Sequence, residues 1–238
     1  MIAAMASSLN RRRAGVSLVW LLAAGPVWAA APARASLCER GRQQSPIDIV
    51  ATSRQPLPAL QVVYRPAPLR WVNDGHTVRV RFSNGSYLQL GADRLTLTQF
   101  HFHLPGGDRL RGEEFPLAMH FLHRAPDGRL VPLVVLWRLG APSAALDALL
   151  PNLPAAGQPE RSVSGVTVDP AVLLPTALGY YRYDGSETAA PCSEGVRWLV
   201  LKQPQTLSAG QLDRLRQRIA PHARAVQPLN GRVVQETP

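Results

Sequence analysis

The chain has little negative charge, and it has no apolar run long enough for a convincing membrane span. Its 238 residues include 16 acidic and 26 basic side chains, for a formal net charge of +10. Arginine supplies nearly all of the positive charge, and the arginines are scattered, with no interleaved aromatic residues and no nucleic-acid-binding motif. We therefore expect a solvated basic surface and no nucleic-acid partner, with weak association with anionic membrane surfaces as the alternative.

The N-terminal segment has the layout of a secretory signal peptide. Three consecutive arginines precede a short apolar stretch that Gly25 and Pro26 interrupt, and small residues follow it. We expect a signal peptide over residues 1–35, cleaved between about 29 and 35; an uncleaved N-terminal anchor is the alternative. The rest of the chain, residues 36–238, shows no internal repeat and no clear domain boundary, so it predicts one sizeable domain.

Cysteine is scarce, since only Cys38 and Cys192 are present. In an oxidising compartment such a pair favours a disulfide, with two unpaired thiols as the alternative. The bridge would close a loop of about 150 residues and stabilise the fold by roughly 3 to 5 kcal/mol in the chain-entropy model. The leader, the cysteine pair and the arginine-rich composition together favour a periplasmic or secreted protein.

Short strands and turns dominate the chain beyond the first cysteine. Residues 78–90 alternate apolar and polar side chains around an Asn-Gly turn and predict an antiparallel hairpin. Residues 130–139 are almost continuously apolar, as in a central strand that is buried on both faces. Helical patterns cover residues 142–150 and 208–219, the second with Ser208 as a candidate N-cap. These patterns predict a mainly β domain with short helices on its outside.

The stretch at residues 99–123, QFHFHLPGGDRLRGEEFPLAMHFLH, carries three histidines that can converge. Successive side chains of a strand point to opposite faces, so His101 and His103 share one face. A turn-rich segment can then reverse the chain, and the apolar run after it can return as an antiparallel strand that carries His120. Three neutral imidazoles with an open fourth position suit a catalytic Zn²⁺. On this pattern alone, the alternative is that some of the histidines are ordinary core residues.

This hairpin resembles the α-class carbonic anhydrases in its QFHFH opening and in the third histidine of the next strand. Four more segments resemble that family and follow its order, namely QSPIDI at 44–49, NDGHTVRV at 73–80, YYRYDGSETAAPCSEGVRW at 180–198 and VQPLNGR at 226–232. The resemblance covers nearly all of the chain after the leader. It implies a divergent, secreted bacterial-type member with a single domain, whose large central and mostly antiparallel sheet carries short peripheral helices.

The resemblance also implies a function and a set of site residues. Members of the family use zinc to hydrate carbon dioxide reversibly to bicarbonate and a proton, and they are inhibited by sulfonamides and anions. The implied positions are His101, His103 and His120 as zinc ligands, Gln99 as the partner that orients a ligand, Thr188 as the residue that orients the nucleophile, His76 as the proton shuttle, and Leu122, Val135 and Trp198 as the apolar wall for carbon dioxide.

Several of these residues also fit an ordinary structural role without any part in function. His76 fits an ordinary histidine of a surface turn, Gln99 fits an ordinary polar residue of a strand, and each residue of the apolar wall fits a core position. The resemblance implies a disulfide between positions matching Cys38 and Cys192, because secreted relatives often carry one there. Whether the chain is a monomer or a homodimer stays open.

Several positions depart from the family pattern, including Ala189 and Ala190 in place of the usual Thr-Pro, and three others bear directly on the implied site. Gly107 replaces a glutamate that usually accepts the hydroxyl proton of the threonine, and Ala118 replaces a glutamate that usually holds the third zinc ligand. Loss of such partners typically lowers metal affinity or activity by about ten- to a hundredfold. Glu187 replaces the usual leucine before Thr188, so one hypothesis is that its carboxylate substitutes for the missing acceptor; the duller alternative is that it points to solvent or perturbs the pocket.

Two classes of function therefore stay open. The first is a zinc lyase that hydrates carbon dioxide, with activity reduced by the loss of the two glutamates. The second is a zinc-binding, catalytically weak or inactive relative that acts as a binding protein. A third class, another zinc hydrolase with Glu187 as its base, has no further support in the sequence.

Overall fold

The computed structural model describes residues 36–238, so the predicted signal peptide lies outside the described residues. The strands are β1 (Asp48–Ile49), β2 (Thr52–Arg54), β3 (Leu60–Val63), β4 (Ala67–Asn73), β5 (Val78–Arg81), β6 (Tyr87–Leu90), β7 (Asp93–His103), β8 (Arg109–Leu110), β9 (Leu117–Arg124), β10 (Leu130–Leu139), β11 (Arg161–Val168), β12 (Tyr180–Ser186), β13 (Glu194–Leu201), β14 (Gln205–Leu207) and β15 (Val234–Glu236). The α-helices are α1 (Leu37–Arg40), α2 (Ala144–Leu149) and α3 (Ala209–Arg216), and two 3₁₀ turns cover Leu150–Asn152 and Pro170–Leu173.

Thirteen of these strands form one mixed sheet, in the order β11-β4-β5-β7-β9-β10-β13-β12-β15-β2, with β14 beside β10 and the pair β3-β6 beside β7. Most neighbours are antiparallel, whereas β10 runs parallel to β13 and β14, and β15 runs parallel to β2. The expected central position of residues 130–139 is confirmed, because β10 pairs with β9 on one side and with β13 and β14 on the other. A mainly β domain with a large sheet is therefore what the chain forms.

The predicted hairpin over residues 78–90 is wrong. Strand β5 pairs with β4 and β7, and β6 pairs with β3 and β7, so β5 and β6 are not partners. The 11-residue strand β7 is long enough to pair with β6 along its first half and with β5 along its second half. The tight reversal lies instead between β6 and β7, at Gly91, whose φ of +60° favours glycine.

The two faces of the sheet pack against different apolar clusters. On β9 and β10, Met119 and Val135 point into the larger apolar core, whereas Ala118 and Val134 point to a smaller cluster on the opposite face. His120 pairs with Val134 across the two strands and so lies on the second face. The histidine therefore lies on the face of the sheet opposite the larger apolar core.

The helices are short and peripheral, as expected. Helix α3 begins after Ser208. The Ser208 side chain accepts a hydrogen bond from the Gln211 backbone N–H, and the Gln211 side-chain oxygen accepts one from the Ser208 backbone N–H, which is a capping box. Helix α2 is shorter than its predicted range and continues as a 3₁₀ turn that begins at Leu150. Among the described residues, no helix combines the length and the apolar character that a bilayer span requires.

Candidate metal and active site

Three histidines meet on neighbouring strands. His101 and His103 lie two residues apart on β7, and His101 pairs directly with His120 of the antiparallel strand β9. The ring centroids are 4.9 Å apart for His101 and His103, 5.3 Å for His101 and His120, and 4.1 Å for His103 and His120. One nitrogen from each ring lies within 4.8 Å of the others, a grouping that can hold a metal ion.

The environment keeps these imidazoles neutral. Burial, together with the positive charge of the nearby Arg79 and His222, lowers the pKa of His101 to about 3. Burial and the neighbouring histidines also hold the pKa values of His103 and His120 well below their usual range. A neutral imidazole has a free lone pair, which is the form that binds a metal. The donor set therefore fits a divalent ion that prefers nitrogen ligands.

The histidines lie in a cavity of about 360 Å³. Its lining residues are Asp74, His76, Thr77, Arg79, Gln99, His101, His103, His120, Leu122, Leu130, Pro132, Glu187, Thr188, Ala189, Trp198 and His222. Leu122, Pro132 and Trp198 form an apolar side, and the ring of Trp198 meets His120 edge-on at 5.1 Å. An open metal position beside an apolar wall can bring a small neutral molecule to a metal-activated nucleophile.

Comparison with known proteins gives this site its family. A model described as eukaryotic-type carbonic anhydrase matches residues 26–238. A carbonic anhydrase of Pectobacterium carotovorum is 40% identical over 202 residues, which are 84% of this chain and 82% of that protein. The chain belongs to the α-carbonic anhydrase family. It is accordingly an enzyme of the carbonic anhydrase type.

Solved structures agree with this membership. The α-carbonic anhydrase of Photobacterium profundum matches with a TM-score of 0.79 and 38% identity, covering 84% of this chain and 92% of that one. The α-carbonic anhydrase of Thermovibrio ammonificans, solved with the inhibitor sulfanilamide, matches with a TM-score of 0.74 and 36% identity, covering 84% and 89%. The fold, and not only the motifs, is that of a carbonic anhydrase.

The cavity brings together most residues that the sequence suggested for this carbonic anhydrase. His76, Gln99, Leu122, Thr188, Glu187 and Trp198 all line it with the three histidines. Val135 does not, and its assignment to the wall is corrected. Val135 is fully buried in the larger core, on the face of β10 opposite the cavity. The assignment was off by an odd number of residues along the strand, and each single step along a strand reverses the face. Pro132 and Leu130, which alternate with the core positions, line the cavity instead.

The three histidines have little polar support among the described residues. The Nε2 atom of His120 and the Nδ1 atom of His101 are buried, and neither has a hydrogen-bond partner in the described part of the chain. Ala118 lies two residues before His120 on β9 and carries no acceptor, and Gln99 lines the cavity without a hydrogen bond to the buried Nδ1 of His101. Support of this kind orients a ligand ring and raises its basicity, so its absence weakens a metal site.

Two carboxylates of the same stretch, Asp108 and Glu113, do not take the place of the missing glutamates, because each has other partners. The buried Asp108 accepts hydrogen bonds from the Ile47 backbone N–H at 2.9 Å and from the Tyr183 hydroxyl at 2.8 Å. Burial raises the pKa of Asp108 to about 6, although both hydrogen bonds oppose the shift. Glu113 is exposed and pairs with Arg138 at 3.2 Å. Both groups are committed to other partners.

The segment that carries Thr188 is fixed by its neighbours. The backbone N–H of Glu187 donates to Ser193 O at 2.9 Å, and the Trp198 indole donates to Ser186 O at 3.1 Å. The side chain of Glu187 is exposed and makes no hydrogen bond to Thr188. The geometry therefore favours the alternative in which Glu187 points to solvent, as a carboxylate at the exposed edge of the cavity.

Sequence reasoning missed one histidine of the site. The ring of His222 lies 4.8 Å from that of His103 and lines the same cavity. Its Nδ1 lies 2.9 Å from Ala220 O, and its backbone N–H donates to Leu104 O at 3.0 Å. The signal was its place just before the VQPLNGR segment, which shares the family pattern.

A disulfide joins Cys38 to Cys192, as predicted, across 154 residues. Cys192 lies four residues after Thr188, so the bridge anchors the end of the loop that lines the cavity. The side chain of Gln44 donates to Cys192 O at 3.2 Å and Arg224 contacts Cys38 O at 2.6 Å, which ties both cysteines to the domain.

Proposed function

We propose that this carbonic anhydrase is a periplasmic or secreted zinc enzyme. It hydrates carbon dioxide reversibly to bicarbonate and a proton, with an activity below that of relatives that keep both glutamates. The observation that carries the proposal is the convergence of His101, His103 and His120 on a cavity with an apolar wall. Three imidazoles and an open position suit zinc better than magnesium or calcium, which prefer oxygen ligands. When bound, zinc lowers the pKa of a coordinated water to near 7 and so supplies the nucleophile.

The chain's own residues then perform separate tasks. Leu122, Pro132 and Trp198 hold the apolar substrate close to the metal position and exclude competing water from that side. The hydroxyl of Thr188 orients the nucleophile by accepting its hydrogen bond. His76, exposed at the cavity mouth, passes the product proton to buffer.

Reduced activity follows from the missing carboxylates. Without an acceptor at Gly107, the hydroxyl of Thr188 is free to rotate, which weakens its hold on the nucleophile. Without one at Ala118, the third ligand His120 has a buried nitrogen that finds no partner within residues 36–238. The typical effect of losing one such partner is about ten- to a hundredfold in affinity or activity.

Export is supported by the composition of the N-terminal segment and by the disulfide, which is compatible with an oxidising compartment. Either a monomer or a homodimer is consistent with the proposal. Sulfonamides are expected inhibitors, since a related enzyme was solved with sulfanilamide.

Stopped-flow carbon dioxide hydration by the purified, zinc-loaded protein tests the proposal, with His101→Ala as the blank. We expect turnover that requires zinc, disappears in the variant and is blocked by sulfanilamide. Stoichiometric zinc binding without turnover would reject catalysis and favour the alternative of a zinc-retaining binding protein. Failure to bind zinc would reject both.

A further inference from the structure

His76 lies on a turn between β4 and β5, and hydrogen bonds from Asp74 shape that turn. The Oδ1 atom of Asp74 accepts from the backbone N–H of His76 at 3.0 Å and of Thr77 at 2.9 Å. The Asp74 backbone N–H in turn donates to Thr77 O at 3.3 Å. The imidazole of His76 is exposed and has no hydrogen-bond partner of its own within residues 36–238. Its position over the cavity therefore depends on the backbone of the turn.

The base of the turn is fixed to two distant segments. Asn73 is fully buried, and its side-chain amide donates to Pro154 O at 3.1 Å and to Arg218 O at 2.8 Å. The Oδ1 atom of the same side chain accepts from Gly75 N–H at 3.0 Å. The turn thus starts from a rigid point, although Gly75, with a φ of +90°, adds a flexible link before His76.

Two contacts tie the turn sideways to the strand that carries the ligands. The hydroxyl of Thr77 donates to Phe102 O at 2.5 Å, between His101 and His103. The guanidinium of Arg79 forms an ion pair with the Asp74 carboxylate, and Arg79 pairs directly with His101 across β5 and β7. The pair is partly shielded, with 34% and 27% of the two side chains exposed. It connects the capping carboxylate of the turn to a strand in fixed register with the metal site.

We propose that the ion pair between Asp74 and Arg79 holds His76 over the cavity mouth, which makes Arg79 a positioning residue for release of the product proton. The inference rests on the proposed role of His76. Without Arg79, Asp74 keeps its two backbone donors and Thr77 keeps its bond to Phe102 O, so the turn still forms but loses one of its two lateral restraints. If the His76 imidazole samples more positions, it spends less time in the position from which it can accept the product proton. Proton transfer is sensitive to such geometry.

The test compares Arg79→Gln with Arg81→Gln in the zinc-loaded protein. Arg81 lies two residues along the same strand face, pairs with Glu160 at 2.6 Å and does not line the cavity, so it is a matched control. Hydration is measured at low buffer concentration and then with added imidazole buffer. A transfer defect lowers kcat while leaving kcat/KM for carbon dioxide unchanged, because proton release follows the substrate steps. We expect roughly a three- to tenfold lower kcat for Arg79→Gln, restored by buffer, restored by Arg79→Lys and absent in Arg81→Gln.

Amide hydrogen exchange gives a readout that does not depend on turnover. We expect the N–H groups of His76 and Thr77 to exchange faster in Arg79→Gln than in wild type, with no change in Arg81→Gln. If His76→Ala lowers kcat in a buffer-rescuable way and Arg79→Gln does not, the inference is wrong while the role of His76 stands. If His76→Ala has no effect, both are wrong. Equal losses of kcat and kcat/KM in Arg79→Gln would also reject the positioning role.

Discussion

Ala118 and His120 lie two residues apart on the same face of β9, and the alanine leaves the buried Nε2 atom of His120 without a hydrogen-bond partner among the described residues. The side chain of Ala118 is fully buried, beside Gly106. Because side chains two residues apart on a strand share a face, we expect a carboxylate at this position to reach that nitrogen. This nitrogen and the Nδ1 atom of His101 are the two buried histidine nitrogens of the site that lack a partner in the described part of the chain.

Ala118→Glu is expected to tighten zinc binding by about tenfold or more, because the new carboxylate accepts the hydrogen of His120 Nε2. The dissociation constant is measured by competition with a chelator. Ala118→Leu is the control, since it adds similar volume without an acceptor. The added volume itself is expected to destabilise the packed face by about 1 to 3 kcal/mol in both variants. Equal zinc affinity in the two variants would contradict this explanation of the site.

A side chain at Gly107 would crowd the ring of Pro46. A Cβ atom at Gly107 would lie 3.0 Å from Pro46 Cγ and 3.1 Å from Pro46 Cβ. Gly107→Ala is therefore expected to lower the free energy of unfolding by about 1 to 3 kcal/mol in urea titrations. Gly210→Ala in α3, where no atom lies closer than 4.0 Å, serves as the control and is expected to cause no loss. Unchanged stability in Gly107→Ala would show that Pro46 moves freely.

His123 is expected to make the protein sensitive to acid. It is fully buried between the Tyr64 hydroxyl at 2.7 Å and Val131 O at 3.1 Å, and burial lowers its pKa from 6.5 to about 4. Between pH 6.5 and about 4, His123 is protonated in the unfolded chain and neutral in the folded chain. The contribution of His123 to stability is therefore fully present above pH 6.5 and is lost as the pH falls towards 4. The loss over this window is about 3 kcal/mol.

Urea unfolding of the metal-free protein at several pH values checks this expectation. Because the three ligand histidines shift in the same direction, the informative quantity is the difference between wild type and His123→Gln. The variant should be less stable at neutral pH and should lose less stability on acidification. A pH dependence identical to that of wild type would assign the acid sensitivity to other groups.

The disulfide between Cys38 and Cys192 is expected to contribute about 3 to 5 kcal/mol to stability, because it closes a loop of 154 residues in the unfolded chain. Urea unfolding with and without reductant measures this contribution. The double variant Cys38→Ser, Cys192→Ser should match the reduced wild type and should not respond to reductant. A loss under 1 kcal/mol would mean that the unfolded chain is already compact around this loop.

The sequence by itself determined the hairpin of the three histidines. The alternation of strand side chains places His101 and His103 on one face, and the apolar run that returns after the turn brings His120 opposite His101. These are local consequences of a period of two and of one reversal of the chain. The central position of β10 also followed from a local property, since continuous apolar sequence has to be buried on both faces.

Only the tertiary structure decided what depends on distant partners. It paired β5 and β6 with separate parts of the long strand β7 and not with each other, a pairing that depends on where a third strand lies. It placed Pro132 rather than Val135 on the cavity wall, since one residue of register decides the face. It also brought His222 beside His103 from a loop more than a hundred residues away in the chain. Local patterns carry no information on such contacts, because register and loop placement depend on which competing pairings the whole core satisfies at once.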